Sequence, residues 1–364
     1  MPAGEKGLLG REWKGLSFLK GRVKAKQLVI FTRELATLLS AGLPLLKSLS
    51  TLHDQLGPGP LKETVASVSL DVERGDSFSE ALSKQPKVFP KLFVNMVKAG
   101  EAGGVLEGIL KRLVDFLEKQ QRLYGKVKSA LMYPVFVLTM AVLILILLLT
   151  FVIPTFTTMF SELGEALPLP TRALIAISSA FRYRWYAIIL VIVGLVLLYR
   201  MLARNPATKA RIDRLKFQLP LFGPLIQKIV IARFSRTMGT LLASGVPILT
   251  ALEIVKDATG NEVIANAIGK VHSSVKEGES VARPLEESGV FPSMVVKMVN
   301  VGEETGELDS MLIKVADTYE EEIDETVSGL TSLMEPVLIV VLGLIVGFIV
   351  IAMFLPLFTL AKLM

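Results

Sequence analysis

The stretch TLLSAGLPLLKSL (Thr37–Leu49) recurs 203 residues later as TLLASGVPILTAL (Thr240–Leu252). Both copies belong to longer matches, FTRELATLLSAGLPLLKSL from Phe31 and FSRTMGTLLASGVPILTAL from Phe234. Nine of the nineteen positions in these longer matches are identical. Such a match predicts that the chain builds one helical unit twice.

Each copy carries a glycine two residues before a proline: Gly42 and Pro44 in the first, Gly245 and Pro247 in the second. Glycine suits the left-handed C-cap of a helix because it has no Cβ, and proline suits the first turn of the next helix. The two stretches therefore predict a helix, a tight turn and a second helix. We assign these four residues a structural role.

The repeat continues in register for about a hundred residues. ERGDSFSEAL matches KEGESVARPL, and FPKLFVNMVKAGEAGGVL matches FPSMVVKMVNVGEETGEL, at an offset of 202 to 203 residues. Within the first pair, Ser77 and Glu80 have the spacing of a capping box at a helix N-terminus. The second copy keeps the serine as Ser280 but has Arg283 in place of the glutamate, so we expect only half of the box there.

Hydrophobic residues make up 51% of the chain and the mean hydropathy is +0.54, which indicates that part of the protein lies in lipid. Three stretches contain no charged residue: Ser129–Ser161, Trp185–Tyr199 and Pro336–Ala361. The first and third exceed the roughly 20 residues that a membrane-spanning helix needs. The second, with fifteen, requires arginines at its ends that reach the bilayer surface. Pro134 and Pro336 occupy matching positions where the first and third spans begin.

Positively charged residues flank the first two spans on one side, which predicts that this side faces the cytoplasm. They are Lys111, Arg112, Lys119, Arg122, Lys126 and Lys128 before the first span, and Arg200, Arg204, Lys209, Arg211, Arg214 and Lys216 after the second. The acidic stretch YEEEIDETVSG (Tyr319–Gly329) before the third span is an exception, to which we give less weight because acidic residues contribute little to the rule. We therefore predict a multi-pass membrane protein with a cytoplasmic N-terminus and a C-terminus outside.

These features predict an all-α membrane protein with two homologous cytoplasmic helical bundles and three transmembrane helices. The predicted boundaries are a basic N-terminal segment (1–26), a first bundle (27–130), a first transmembrane helix (131–155), an outer loop (156–183), a second transmembrane helix (184–201), a basic cytoplasmic linker (202–230), a second bundle (231–333) and a third transmembrane helix (335–361). In the N-terminal segment Leu9, Trp13 and Leu16 have helical spacing among lysines and arginines. That segment is either an amphipathic helix for an anionic membrane or an acidic partner surface, or a disordered basic tail.

The sequence offers no set of residues for catalysis, a cofactor or a metal ion. It contains no cysteine, and it lacks the G-x-x-x-x-G-K-[ST] loop that binds nucleotide phosphates. Its two histidines, His53 and His272, do not correspond between the repeats, and neither has a second histidine at metal-ligand spacing. We therefore predict that the protein is not an enzyme and has no cofactor, and we interpret both histidines as surface residues.

The repeats share one further motif, AGEAGGVL in the first and VGEETGEL in the second. Its glutamate, Glu101 or Glu303, follows a glycine that is expected to end one helix, and it precedes the next helix by a few residues. There the carboxylate can cap the free N–H groups of the following helix, or it can contact a partner or a cation. Gly104 and Gly306 are expected to close the same turn.

These paired motifs, together with YP at Pro134 and EP at Pro336, resemble the type II secretion F protein and type IV pilus platform family. The resemblance extends over nearly the whole chain from Gln27. It implies an inner-membrane platform protein that couples a cytoplasmic hexameric assembly ATPase to the extraction and polymerisation of pilins or pseudopilins. It also implies contacts with other inner-membrane assembly proteins, a homo-oligomer and no direct binding of nucleic acid.

Two other functions are compatible with the residues alone. A membrane scaffold without motor coupling would need the same bundles and spans. A transporter would need ionisable or polar groups within the membrane, and the interiors of the three spans contain no ionisable residue, which argues against transport. Within the family, secretion, pilus assembly and DNA uptake are all compatible with this sequence.

The topology can be tested with a reporter enzyme that is active only outside the cytoplasm. A fusion after Leu167 should be active, because the loop between the first two spans is predicted to lie outside. Fusions after Lys84 and Lys276 should be silent, because both bundles are predicted to be cytoplasmic. Activity after Lys276 would show that the middle stretch of fifteen uncharged residues does not cross the membrane.

Overall fold

The computed structural model describes residues 23–160 and 167–363, and all regular secondary structure in these two ranges is helical. The first repeat forms α1 (Ala25–Ser40), α2 (Leu45–Gln55), α3 (Pro60–Glu73), α4 (Phe78–Ser83), α5 (Lys91–Ala102) and α6 (Leu106–Leu147). A π-helical turn (Leu148–Val152) leads to α7 (Ile153–Phe160), α8 (Leu169–Tyr183), α9 (Trp185–Leu202) and α10 (Pro206–Phe217). The second repeat forms α11 (Phe222–Ala243), α12 (Ile248–Ala258), α13 (Glu262–Lys276), α14 (Ala282–Glu287), α15 (Ser293–Thr305) and α16 (Leu308–Leu363). The order of helices repeats, and the predicted all-α fold is confirmed.

Contacts divide the chain into two compact units. The first comprises the described residues up to Arg122 together with Ser235–Ala258 and Ile268–Ile313, and the second comprises Leu123–Phe234, Thr259–Ala267 and the residues from Lys314 onward. Each unit contains parts of both repeats. The predicted N-terminal positions Leu9, Trp13 and Leu16 lie outside the described residues.

The turn that opens each repeat has the predicted form. Gly42 and Gly245 have φ angles of +81° and +78°, the left-handed region that a Cβ disfavours. In each repeat the residue after the glycine donates its N–H to the carbonyl five residues earlier, the bond that closes a Schellman C-cap. Pro44 and Pro247 then stand immediately before α2 and α12.

Aromatic rings fill the centre of the first bundle. Phe31 of α1 lies 6.2 Å from Phe89, and Phe89 lies 5.0 Å from Phe93 of α5, measured between ring centroids. All three side chains are buried, as is Leu35 one turn further along α1. Burial of each such side chain contributes about 1.5–3 kcal/mol. The bundle is therefore a conventional hydrophobic core.

Among the described residues, three single helical segments are long and apolar enough to cross a membrane: Leu106–Phe156, Trp185–Leu202 and Leu308–Pro356. This agrees with the three predicted spans. The first and third also contain the last helix of a bundle, so bundle and span form one continuous helix. α6 has 42 residues and α16 has 56, which corresponds to about 63 and 84 Å at 1.5 Å per residue. Pro134 and Pro336 lie inside these helices.

The acidic flank of the third span pairs with basic residues of the second unit. Asp324 of α16 accepts a hydrogen bond from Lys126 of α6. Glu322 forms an ion pair of 2.9 Å with Lys228 of α11. Two of the five acidic residues in this stretch, Glu322 and Asp324, thus pair with lysines of the same unit.

Pro356 deprives one carbonyl of its usual helical donor. Proline has no N–H, so the carbonyl of the residue four positions earlier, Ala352, receives no bond from it. The hydroxyl of Thr171 on α8 donates to this carbonyl at 2.6 Å. A side chain of α8 therefore supplies the bond that the α16 backbone lacks.

Pro154, at the matching position of the first repeat, has the same effect through the π-helical turn. Here the N–H of Ile153 bonds to Leu148, five residues earlier, so the next donor in this register would be Pro154. The hydroxyl of Ser178 donates instead to the carbonyl of Leu149 at 2.5 Å. The segment predicted as an outer loop thus contains a helix, α8, that bonds to the first and third spans.

Apolar contacts complete this junction. Leu174 lies between the two hydroxyl residues on the same face of α8 and is buried against Leu149 and Ile153 of the first span and Ile349 and Ala352 of the third. Because the two hydroxyls are seven residues apart, or two helical turns, a single helix face serves both spans.

Removal of either hydroxyl should destabilise the membrane-spanning part. We expect Ser178→Ala and Thr171→Val each to lower the unfolding free energy by about 1 kcal/mol, because a buried carbonyl loses its donor. Thermal unfolding in detergent or lipid nanodiscs would measure the loss. Ser179→Ala is the matched control, because Ser179 is exposed and donates within its own helix. Equal stability of all three variants would contradict the role of the hydroxyls.

Candidate functional site

Glu101 caps a helix that lies earlier in the chain. Its Oε1 accepts a hydrogen bond from the backbone N–H of Phe78 at 2.6 Å, and its Oε2 accepts one from the N–H of Ser79 at 2.9 Å. These N–H groups belong to the first turn of α4, where no helical acceptor is available to them. The carboxylate on α5 therefore fixes the N-terminus of α4.

Glu303 does the same in the second repeat. Both of its carboxylate oxygens accept from the N–H of Val281, at 2.9 and 3.0 Å, and Oε2 also accepts from the N–H of Ala282 at 3.3 Å. Val281 is the N-cap residue and Ala282 the first residue of α14, the counterpart of α4. The two glutamates thus make equivalent contacts 202 residues apart.

The structure differs from the sequence-based expectation in the helix that each carboxylate caps. We expected Glu101 and Glu303 to follow the end of one helix and to cap the next. Both residues instead lie within the last turn of α5 and α15, and both reach back to the preceding short helix. The reason is that the glycine before each glutamate does not end the helix, which continues for at least two more residues.

Those two glycines, Gly100 and Gly302, allow a close approach between helices. A Cβ at Gly100 would lie 2.9 Å from Ile109 and 3.2 Å from the Cα of Leu106. A Cβ at Gly302 would lie 2.8 Å from the Cα of Leu308. α5 and α15 can therefore touch the start of the long helices α6 and α16 only because these positions lack a side chain.

Gly104 and Gly306 close the turn that follows. Their φ angles are +67° and +75°, so both adopt the left-handed conformation that glycine tolerates. No atom lies within 4 Å of a Cβ built at either position. Their contribution is one of backbone conformation, as the sequence predicts.

The N-terminus of α4 carries a second cap. Ser77 Oγ accepts from the N–H of Glu80 at 3.2 Å, and the Glu80 carboxylate accepts from the N–H of Ser77 at 3.1 Å, which is the expected capping box. In the second repeat Ser280 accepts from the N–H of Arg283 at 3.4 Å, while the Arg283 guanidinium donates to Glu287. Half of the box is therefore present there, as predicted.

A charged groove of about 520 Å³ lies within the first unit. Residues of both signs line it, among them Arg112, Asp115, Glu118, Arg122, Arg236 and Asp309. Several of these groups already serve bonds inside the unit: Glu118 accepts from Arg33 at 2.6 Å, and Arg112 donates to the carbonyl of Ala243. The mixture of signs offers no dedicated site for a small anion or cation. The sequence did not indicate this groove, because its walls come from both repeats.

An exposed ion pair joins the two repeats within the first unit. Lys91 of α5 lies 2.6 Å from Asp257 of α12. The hydrogen bond to Asp257 raises the pKa of the Lys91 ammonium above its ordinary value. The pair is exposed, so it orients the two helices more than it stabilises them.

The histidines take no part in a cluster. His53 contacts Asp54 at 3.2 Å, and His272 lies 3.7 Å from Glu253. Within residues 23–160 and 167–363 no group of three or more His, Cys, Asp or Glu side chains is arranged to hold a metal ion. The candidate sites are therefore the two helix caps.

Asp213 is a buried residue that the sequence analysis missed. It lies on α10, in the segment predicted as a basic linker, and only 2% of it is exposed. Its Oδ2 accepts from the N–H of Glu262 at 3.0 Å, at the start of α13, and its Oδ1 accepts from Lys216 at 2.8 Å. The hydrogen bond from Lys216 raises the pKa of that ammonium. A single aspartate among lysines and arginines is typical of a solvated charged helix, so the sequence alone does not predict that Asp213 is buried.

The paired caps predict a graded loss of stability. In Glu101→Gln one oxygen still accepts a bond, but the amide NH₂ faces the second backbone N–H, so we expect a loss of about 1–3 kcal/mol. Glu303→Gln should lose less, because the bonds of Glu303 are longer. Chemical unfolding of the full chain would measure both. Glu80→Gln is the control, because it alters an exposed cap of the same helix α4 and should cost at most about 1 kcal/mol.

The repeated architecture has known counterparts. A family model described as Type II secretion system (T2SS), protein F, matches residues 31–154 and again 234–356. A type IV pilus assembly protein PilC from Thermus thermophilus is 48% identical over 92% of this chain and 82% of its own length. PilC from Myxococcus xanthus is 41% identical over 94% of this chain and 82% of its own length. The type II secretion system protein F from Xanthomonas campestris is 37% identical over 92% of this chain and 83% of its own length.

The two family matches begin at Phe31 and Phe234, where the repeats begin. They end at Pro154 and Pro356, the prolines beside the carbonyls to which α8 donates. They cover more than half of the chain, and the relatives match almost all of it. The chain therefore belongs to the type II secretion system protein F family.

Proposed function

We propose that this protein is the inner-membrane platform of a type IV pilus or type II secretion machine. In this function it couples a cytoplasmic assembly ATPase to the extraction and polymerisation of pilins or pseudopilins. Family membership supports the machine, and the names of the relatives include both kinds of assembly. The observation that carries the coupling is that α6 and α16 each run without interruption from a bundle into a span.

The orientation follows the distribution of positive charge. The bundles and the N-terminus lie in the cytoplasm, where an ATPase can contact them, and the C-terminus lies outside. The spans stand in the same bilayer as the pilin helices. We further propose contacts with other inner-membrane assembly proteins and a homo-oligomer, with no direct contact to nucleic acid.

The energy of the process has to come from a partner. Extraction of a pilin helix from lipid exposes about 20 apolar residues, at about 0.8 kcal/mol for each buried methylene group. The platform carries no phosphate-binding loop of the G-x-x-x-x-G-K-[ST] type with which it could hydrolyse a nucleotide. Its part is mechanical: it turns a movement of the motor into a displacement within the membrane.

Ion pairs support joint movement of the two long helices. Lys126 of α6 bonds to Asp324 of α16 at the approach to the membrane, and Lys228 of α11 bonds to Glu322. A force applied to one of these helices is thereby shared with its neighbours. A continuous helix is suited to this work, since its backbone bonds resist bending between the bundle and the proline where each span begins, Pro134 or Pro336.

The proposal can be tested by interrupting the continuous helix α6. Gly125 is an exposed residue inside α6, between the bundle and the span, and no atom lies within 4 Å of a Cβ built there. Gly125→Pro should kink the helix at a cost of about 3 kcal/mol or more, whereas Gly125→Ala should strengthen it. In cells without the native copy, we expect the proline variant to lose most pilus or secretion output and the alanine variant to retain it.

Co-purification with the ATPase serves as the second measurement for both variants. Retained binding together with lost output would locate the defect in transmission. Full output from a Gly125→Pro variant that inserts normally into the membrane would contradict the coupling. In that case a scaffold without motor coupling would be the better description.

A further inference from the structure

The turn between α10 and α11 exposes a cluster of large apolar side chains. Leu215, Leu219, Leu221 and Phe222 have exposed fractions of 63%, 48%, 49% and 36%. The neighbouring apolar residues of α11, from Leu225 onward, are mostly buried or half-buried within the protein. The apolar surface at the turn therefore has no cover from the described chain.

The backbone of this turn is strained and tightly packed. Leu221 has a φ angle of +69° and is the one non-glycine residue with a positive φ among the residues described. A leucine in this region is uncommon and carries a steric cost. A Cβ at Gly223 would lie 2.2 Å from the carbonyl oxygen of Phe217, so only glycine fits there. A bend of 114° separates α10 from α11. The turn thus keeps these apolar side chains exposed although the left-handed backbone at Leu221 is unfavourable for leucine.

Contacts along α11 and α16 define the level of the turn. Lys228 of α11 bonds to Glu322 at 2.9 Å and to Thr326 at 3.1 Å. Further along α11, a Cβ at Gly239 would lie 3.0 Å from the carbonyl oxygen of Asp309. Residue numbers therefore rise along α11 as they fall along α16, and the two helices run antiparallel.

This antiparallel arrangement brings the turn close to the membrane. Phe222 precedes Lys228 by six residues on α11. It therefore lies level with the residues of α16 that follow the Glu322–Thr326 contact by about six positions. The charge-free run of α16 begins at Pro336. At 1.5 Å per residue, the turn is within about 10 Å of the start of the span. The headgroup layer on each side of the bilayer is about 5–8 Å deep, so the turn lies at its edge.

Charge and chain continuity agree with this location. Only three residues separate the end of the span α9, at Leu202, from the start of α10. Five basic residues lie on or just before α10: Arg204, Lys209, Arg211, Arg214 and Lys216. The single acidic residue of α10, Asp213, is buried and bonded to Lys216, while Arg211 and Arg214 are exposed. The exposed face of α10 is therefore basic and ends in an apolar tip.

We propose that the α10–α11 turn is a bilayer anchor on the side of the bundles. Leu219, Leu221 and Phe222 insert into the interface between headgroups and acyl chains, and Arg211 and Arg214 bind the headgroups of anionic phospholipids. A basic helix with leucine and phenylalanine at its end has the composition of an interfacial membrane element. This anchor is independent of the proposed coupling to a motor, because it needs only the chain and a bilayer.

The absence of cysteine from the sequence makes the anchor directly testable. Leu219→Cys and Phe222→Cys, each labelled with a small fluorophore, would be placed in the full chain in nanodiscs whose acyl chains carry bromine. We expect bromine to quench both probes at least twofold more strongly than a probe at Glu279→Cys, an exposed bundle residue. A probe at Leu197→Cys, on the exposed surface of α9, gives the value expected within the bilayer.

The role of the arginines has its own comparison. Quenching at Phe222→Cys should be stronger in nanodiscs of phosphatidylglycerol than in those of phosphatidylcholine, and Arg211→Gln with Arg214→Gln should remove that difference. Equal quenching in both lipids would overturn the headgroup contact. Quenching at Leu219→Cys and Phe222→Cys no stronger than at Glu279→Cys would overturn the anchor. If the probes are protected from aqueous iodide without quenching by bromine, a second copy or another protein covers the turn, and the anchor is also overturned.

Discussion

The shortest helix of each bundle depends on a carboxylate from the next helix. α4 and α14 have six residues each, far fewer than the roughly 12–15 that an isolated helix needs to be even marginally stable. Their first N–H groups bond to Glu101 and Glu303, and the positive end of the helix dipole strengthens these bonds. The glycine that precedes each glutamate lets the same helix touch α6 or α16. The short helix, its neighbour and the long helix that follows are thus positioned through one turn of α5 or α15.

A second constraint acts where water is absent. A backbone carbonyl that lacks a donor in lipid is destabilising, so a substitute donor beside a proline in a span stabilises the fold. In this protein both substitutes, Thr171 and Ser178, come from one helix between the spans. The prolines of the two repeats and the hydroxyls of α8 thus form a single junction.

Local patterns in the sequence predicted the local structure well. The glycine C-caps at Gly42 and Gly245 and the capping box of Ser77 and Glu80 involve residues within a few positions of each other, and their chemistry is visible in the letters. The caps by Glu101 and Glu303 were only half predicted. The residue and its chemistry were identified, but the partner lies more than twenty residues earlier, and only the folded chain brings the two together.

Other features of the structure depend on burial or on pairing between distant segments. Asp213 resembles any other residue of a charged helix until its burial is known. The acidic stretch before the third span departs from the charge rule. Its partners, Lys126 and Lys228, could not be predicted because they lie about a hundred or more residues away in sequence. The strained Leu221 could not be predicted either, since its conformation runs against the preference of leucine.

The ion pair between Lys126 and Asp324 has a consequence for the history of the chain. The residue of α6 that corresponds to Asp324 is Arg122. A second repeat that remained an unchanged copy of the first would therefore place an arginine opposite Lys126, and the like charges would repel. At this position the two repeats differ in charge, so the first repeat is complementary to the second rather than to a copy of itself. The two repeats are therefore no longer interchangeable: near the membrane α6 carries the basic partner of this pair and α16 carries the acidic one.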